Sequence, residues 1–114
     1  MALFGKKNKE TKTGSELNIS VNNDGKEYTF LLEGRLDTLT APSLEEKINE
    51  VIDGADRLIL DLGAVEYISS AGLRVLLGAV QQIEGKGEMI VRNPSRAVRE
   101  VLDLTGFSRM FTIE

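Results

Sequence analysis

Residues 57 to 83 decide the fold. They read Arg57-Leu58-Ile59-Leu60-Asp61-Leu62, then Gly63-Ala64-Val65-Glu66-Tyr67-Ile68-Ser69-Ser70-Ala71-Gly72, then a spaced series Leu73, Leu76, Leu77, Val80 and Ile83. The first block is a nearly continuous apolar run of strand length, which suits a central strand covered on both faces. The series that follows recurs at helical spacing and forms one apolar stripe. Gly85 and Gly87 then end that helix. A buried strand feeding an amphipathic helix is the first half of a crossover, so the sheet is expected to be parallel here.

The same alternation extends in both directions. Upstream, Leu44, Ile48, Val51 and Ile52 make a second helical stripe, with Pro42 fitting its first turn and Gly54 placed to close it. Before that, Leu17, Ile19 and Val21 alternate with polar residues, Asn22-Asn23-Asp24-Gly25 supplies turn chemistry, and Tyr28, Phe30 and Leu32 alternate again. This is a β-hairpin pattern. Gly34-Arg35-Leu36-Asp37-Thr38 breaks it.

Downstream, Glu88-Met89-Ile90-Val91 reads as a short strand, and Asn93-Pro94 reads as an N-cap followed by proline at the first helical position. A third helix turns Val98, Val101 and Leu102 inward and stops near Gly106, before a last extended piece at Phe111 to Ile113. The expected fold is a single-domain α/β structure of order ββαβαβαβ, with a mixed, mostly parallel sheet. The hairpin contributes its antiparallel pair.

The chain has 114 residues, 41% of them hydrophobic, enough for one core and one domain. With no Cys and no His, thiol nucleophiles, the usual zinc ligands and the commonest general base are all missing. Neither a GxxxxGK[ST] nor a GxGxxG phosphate loop occurs. An enzyme is therefore not expected, and neither is a metal or cofactor site.

The net charge of −4 argues against nucleic acid as a partner. It is unevenly spread: Lys6, Lys7, Lys9 and Lys12 face only Glu10 in the opening stretch, a local +3 that leaves −7 on the remainder. Residues 1–15 read as a flexible basic lead and 16–114 as the domain. Contact of the lead with an acidic partner or a membrane surface is the other reading. There is no signal peptide and no run of the ~18 apolar residues that a spanning helix needs, so a cytoplasmic location is expected.

Two segments could carry function. Ser69-Ser70-Ala71-Gly72-Leu73-Arg74 stands between the buried strand and the helix. A serine there caps the helix through its hydroxyl. Alternatively, the pair is an accessible helix start open to a modifying enzyme. A phosphate would bring about −1.5 to −2 charge, which a helix N-terminus tolerates and an acidic or apolar partner would not. In Gly34-Arg35-Leu36-Asp37-Thr38, Asp37 or Thr38 satisfies local backbone donors, or the loop joins the serine pair in one docking surface. Asn93-Pro94-Ser95-Arg96 is explained by capping alone. Arg74, Arg96 and Arg99 read as solvated, or as contacts for an acidic partner.

Taken together, four pieces resemble the STAS domain, specifically the single-domain anti-sigma factor antagonists of bacteria. They are Glu33-Gly34-Arg35-Leu36-Asp37; Leu60-Asp61-Leu62 with Val65-Glu66-Tyr67-Ile68; Ser69-Ser70-Ala71-Gly72-Leu73-Arg74-Val75-Leu76-Leu77; and Val101-Leu102-Asp103-Leu104-Thr105-Gly106-Phe107. The resemblance implies a partner-switching cycle. The unphosphorylated domain binds an anti-sigma factor that is also a serine kinase, freeing a sigma factor. Phosphorylation at the start of the second helix releases it, and a metal-dependent serine phosphatase resets it. ATP and metal then belong to the partners.

The frequent family form at the turn is Asp-Ser-Ser/Thr-Gly, aligned here with Ser69-Ser70-Ala71-Gly72. Ser70 is accordingly the first acceptor candidate and Ser69 the second. The expected partner surface is Asp37, Thr38, Ser69, Ser70, Ala71, Gly72 and Arg74. Two other classes compete: a constitutive STAS scaffold or transport-accessory module, and a small-molecule module using the turn as an anion site.

Overall fold

Gly25 and Lys26 reverse the chain because Gly25 accepts a φ of +66°, closing a hairpin between β1 (Leu17–Asp24) and β2 (Glu27–Leu36). The structure, a computed structural model, describes residues 16–114; the basic lead expected at residues 1–15 lies outside the described residues. After the hairpin come α1 (Ala41–Val51), β3 (Arg57–Ile68), α2 (Ser70–Ile83), β4 (Glu88–Arg92), α3 (Arg96–Thr105) and β5 (Thr112–Ile113), with short 3-10 turns at Ile52–Gly54 and Phe107–Arg109. The order is the one expected from the sequence.

The five strands lie side by side in chain order, β1 antiparallel to β2 and every later pair parallel. Each parallel step moves one place in the same direction. Right-handed crossovers then place all three helices on one face of the sheet. That face carries Phe30, Leu32, Leu58, Leu60, Leu62, Met89 and Val91, which meet Leu44 and Ile48 of α1, Leu73, Leu76 and Ile83 of α2, and Val98 and Leu102 of α3 in one core. Each fully buried Leu or Ile contributes about 1.5–3 kcal/mol relative to exposure, far more than any surface ion pair of this fold.

The opposite face has no helix, although the sequence suggests cover on both sides. Ile59 and Ile90 pair there and are nonetheless fully buried. Their cover is ionic. Arg57 reaches Glu27 (3.6 Å), Glu88 (3.5 Å) and, across the strands, Glu114 (3.8 Å), which also meets Arg92 (3.7 Å). The side chains of Arg57 and Arg92 stay partly exposed, although Arg57 Nε itself is buried.

Two strands run further than their sequences suggest. β2 continues through Gly34 to Leu36, and β3 continues past Leu62 to Ile68. Beyond the Asp61–Arg92 rung, β3 pairs with β2 alone, through two bulges at Leu31/Glu33 and Gly34/Arg35. The bulges reset the side-chain phase, so that Leu62, Val65 and Ile68 all face inward at a spacing of three rather than two. Gly34 permits the close approach of Glu16 with a φ of +120°. The free side of the extension is taken by α3: Ser95 N–H donates to Leu62 O at 3.2 Å, and Ser95 Oγ donates to Val65 O at 2.6 Å. Ser95 Oγ also accepts from Val98 N, so Ser95, not Asn93, is the cap of α3. Asn93 instead takes a left-handed φ of +55°.

Candidate functional site

Because β2, β3 and β4 are parallel, the turns that follow them emerge at one edge of the sheet. The serine turn and the Asp37 loop are joined there directly: Ser69 N–H donates to Leu36 O at 2.9 Å. The two segments singled out in the sequence therefore form a single surface.

The two serines have different tasks. Ser69 sits in extended conformation (φ −98°, ψ 175°) as the N-cap of α2, where its Oγ accepts from Gly72 N–H at 3.3 Å and its carbonyl accepts from Leu73 N–H. It is half-buried. Ser70 is the first residue of the helix, exposed, and its hydroxyl makes no hydrogen bond among the described residues. Capping and accessibility, open alternatives in the sequence, are divided between neighbours.

Gly72 anchors the tip from below. A Cβ there would come 2.7 Å from Leu36 Cγ and 3.0 Å from Ile68 Cγ1, so only glycine lets the first turn rest on the ends of β2 and β3. It is buried and shapes the surface without being part of it. Ala71 is half-buried. Arg74, one turn along, is exposed and forms no ion pair among the described residues. Thr38, Ala71, Arg74, Ala41, Pro42, Glu45 and Val75 line a shallow hollow of about 180 Å³ between α1 and α2.

Asp37 is almost fully buried, and its role is to hold the loop. Oδ1 accepts from Leu39 N–H (3.0 Å) and Thr40 N–H (3.1 Å), while Oδ2 lies 3.6 Å from Arg35 Nε. Thr40 Oγ1 ties the turn back by donating to Arg35 O at 2.8 Å. The result lifts Thr38 and Leu39 outward, and Leu39 is 70% exposed at the apex. A leucine so exposed beside the hydroxyl-bearing tip is a functional candidate the sequence reading missed. Its signal was an apolar residue with no place in any periodic stripe. Arg35 stacks on Tyr67 with its guanidinium carbon 4.4 Å from the ring centre, stiffening the β2–β3 extension beneath the site.

The first turns of α1 and α2 contain no acidic residue, and the N-terminus of α2 is the positive end of its dipole. Arg74 and Glu45 both line the hollow, so its side-chain charges are mixed. No group of His, Cys, Asp or Glu able to hold a metal exists among the described residues. No described helix is long and apolar enough to cross a membrane.

An exposed hydroxyl, leucine and arginine gathered at one end of the sheet make up a surface of the kind that docks proteins. The chain belongs to the STAS domain family, which it matches over residues 18–114. It is 38% identical over 84 residues, 72% of either chain, to BtrV of Bordetella bronchiseptica, named as an anti-sigma factor antagonist. It is 33% identical over 81 residues to the anti-sigma-F factor antagonist RsfB of Mycobacterium tuberculosis, covering 70% of this chain and 66% of RsfB. A crystal structure of an anti-sigma factor antagonist from Mycobacterium paratuberculosis superposes with a TM-score of 0.81 at 27% identity, over 90% of this chain and 89% of the other.

Proposed function

We propose that this domain is an anti-sigma factor antagonist whose grip on an anti-sigma factor is released by phosphorylation of Ser70. The partner is itself a serine kinase using ATP, and a serine phosphatase restores the binding form. The cycle runs in the cytoplasm and regulates sigma-factor-dependent transcription. The contact surface is built from Thr38, Leu39, Ser70, Ala71 and Arg74, with Ser69, Gly72 and Asp37 holding its shape.

The observation that carries this reading is the division of labour in the serine pair. Ser69 Oγ is committed to Gly72 N–H, whereas Ser70 is exposed and its hydroxyl makes no hydrogen bond among the described residues. A kinase can reach Ser70 without unfolding the helix, and the new phosphate sits where the helix dipole stabilises it. The domain keeps its fold while the docking surface gains negative charge. The names of the relatives and the family membership support the identity of the partner.

Incubation with the cognate kinase and ATP tests the assignment. One phosphate is expected, on Ser70, and none on the Ser70→Ala variant. A phosphate on Ser69 alone would overturn the choice of Ser70, and an unmodified protein that binds the partner equally well as Ser70→Ala and Ser70→Asp would instead establish a constitutive scaffold.

A further inference from the structure

The two edges of the sheet differ. β5 offers only Thr112–Ile113, whereas β1 offers eight residues, Leu17–Asp24. Natural sheets blunt a long edge with lysine, proline or a bulge, because its unpaired amides and carbonyls template another strand. β1 has none of these: it reads Leu17-Asn18-Ile19-Ser20-Val21-Asn22-Asn23-Asp24 and keeps an unbroken register with β2. The free groups follow from one bond. Arg35 N–H donates to Glu16 O at 2.9 Å, and bonded pairs alternate along an antiparallel ladder, so Asn18, Ser20 and Asn22 bond to β2. The N–H and C=O groups of Leu17, Ile19 and Val21 point out to the edge, where no further strand lies among the described residues. The Leu17 and Ile19 side chains are buried in the core, and Val21 packs half-buried against it.

We infer that this edge pairs antiparallel with the same edge of a second copy of the chain, about a twofold axis at Ile19. The apolar pattern is symmetric there. Ile19 meets its own counterpart, and Leu17 meets the other copy's Val21. Three such pairs exchange two bonds each, about six in all, and set apolar side chains side by side. On the helix-free side Asn18 meets the other copy's Ser20, so no charge opposes a charge. Asp24, the one charged residue of β1, falls outside the paired stretch. A foreign strand bearing charge would find no counter-charge on this edge, whereas a second copy supplies the same neutral alternation in the reverse direction. The pairing is independent of whether Ser70 is modified.

Sedimentation equilibrium of the full chain from about 1 μM to about 1 mM tests it. So short a ladder buries less than the ~800 Å² per partner of a standard interface, so a dimer with a Kd of roughly 10–100 μM is expected. Asn18 is exposed and Ser20 half-buried, both outside the core. Asn18→Lys with Ser20→Lys sets like charges opposite each other twice across the axis and should weaken the dimer roughly tenfold. Asn18→Lys with Ser20→Glu sets opposite charges at the same places and should tighten it roughly tenfold. Circular dichroism confirms that both variants are folded. In hydrogen exchange, the amides of Leu17, Ile19 and Val21 should gain protection as the concentration rises. A chain that stays monomeric throughout the range would overturn the inference. So would a dimer indifferent to both variants, which places the contact elsewhere. Protection of the three amides at every concentration would also overturn it, by assigning the edge to another segment of the same chain.

Discussion

Replacing each serine of the pair by alanine separates a structural hydroxyl from a free one. Ser69→Ala removes the acceptor of Gly72 N–H at the cap of α2 and leaves that donor unpaired. Losing a serine cap costs about 0.5–2 kcal/mol, and a bond of 3.3 Å is at the long end of its class, so about 1 kcal/mol is expected. For a domain near 100 residues that lowers Tm by roughly 4–8 °C. Ser70→Ala breaks no hydrogen bond and puts the best helix former at an exposed position, so stability should hold or rise by up to ~0.5 kcal/mol. Ser69→Asp should keep wild-type stability, because aspartate and serine cap equally well. Urea unfolding and thermal melts followed by circular dichroism measure all three. Equal losses for Ser69→Ala and Ser70→Ala, or no loss for either, would refute the assignment of the cap to Ser69.

Three further outcomes follow from the same geometry. Asp37→Ala should destabilise by about 2–3 kcal/mol in urea unfolding, since charge-assisted bonds from two backbone amides are lost together with the Arg35 ion pair. Gly34→Ala should cost about 2 kcal/mol or more in the same assay, because its φ of +120° and the approach of Glu16 O leave no room for a Cβ. Leu39→Ser should change stability by less than ~0.5 kcal/mol, as the side chain is exposed, yet weaken the complex with the anti-sigma factor about tenfold in titration calorimetry.

The periodic elements were legible in the sequence because each buries one face at a regular spacing. Leu44 and Ile48, Leu73, Leu76 and Ile83, and Val98 and Leu102 are the contacts that hold α1, α2 and α3. The end of β3 was not legible. Its inward residues Leu62, Val65 and Ile68 fall at a spacing of three, set by bulges that depend on β2 and leave no local mark. The cap of α3 was misassigned for a similar reason: Ser95 is fixed by Val65 O, thirty residues away in sequence, which outweighs the local preference of Asn93-Pro94. At the site, the serine pair was visible but its division was not. Two adjacent hydroxyls differ only in helical phase, and the Leu36–Ser69 bond sets that phase.

The most direct measurement is the affinity of the anti-sigma partner for the chain with phosphoserine at position 70, compared with the unmodified chain, by titration calorimetry at physiological salt. A loss of at least a hundredfold, about 2.7 kcal/mol, is expected, with the unfolding midpoint unchanged or raised. Equal affinity of the two forms, with both fully folded, would contradict the account.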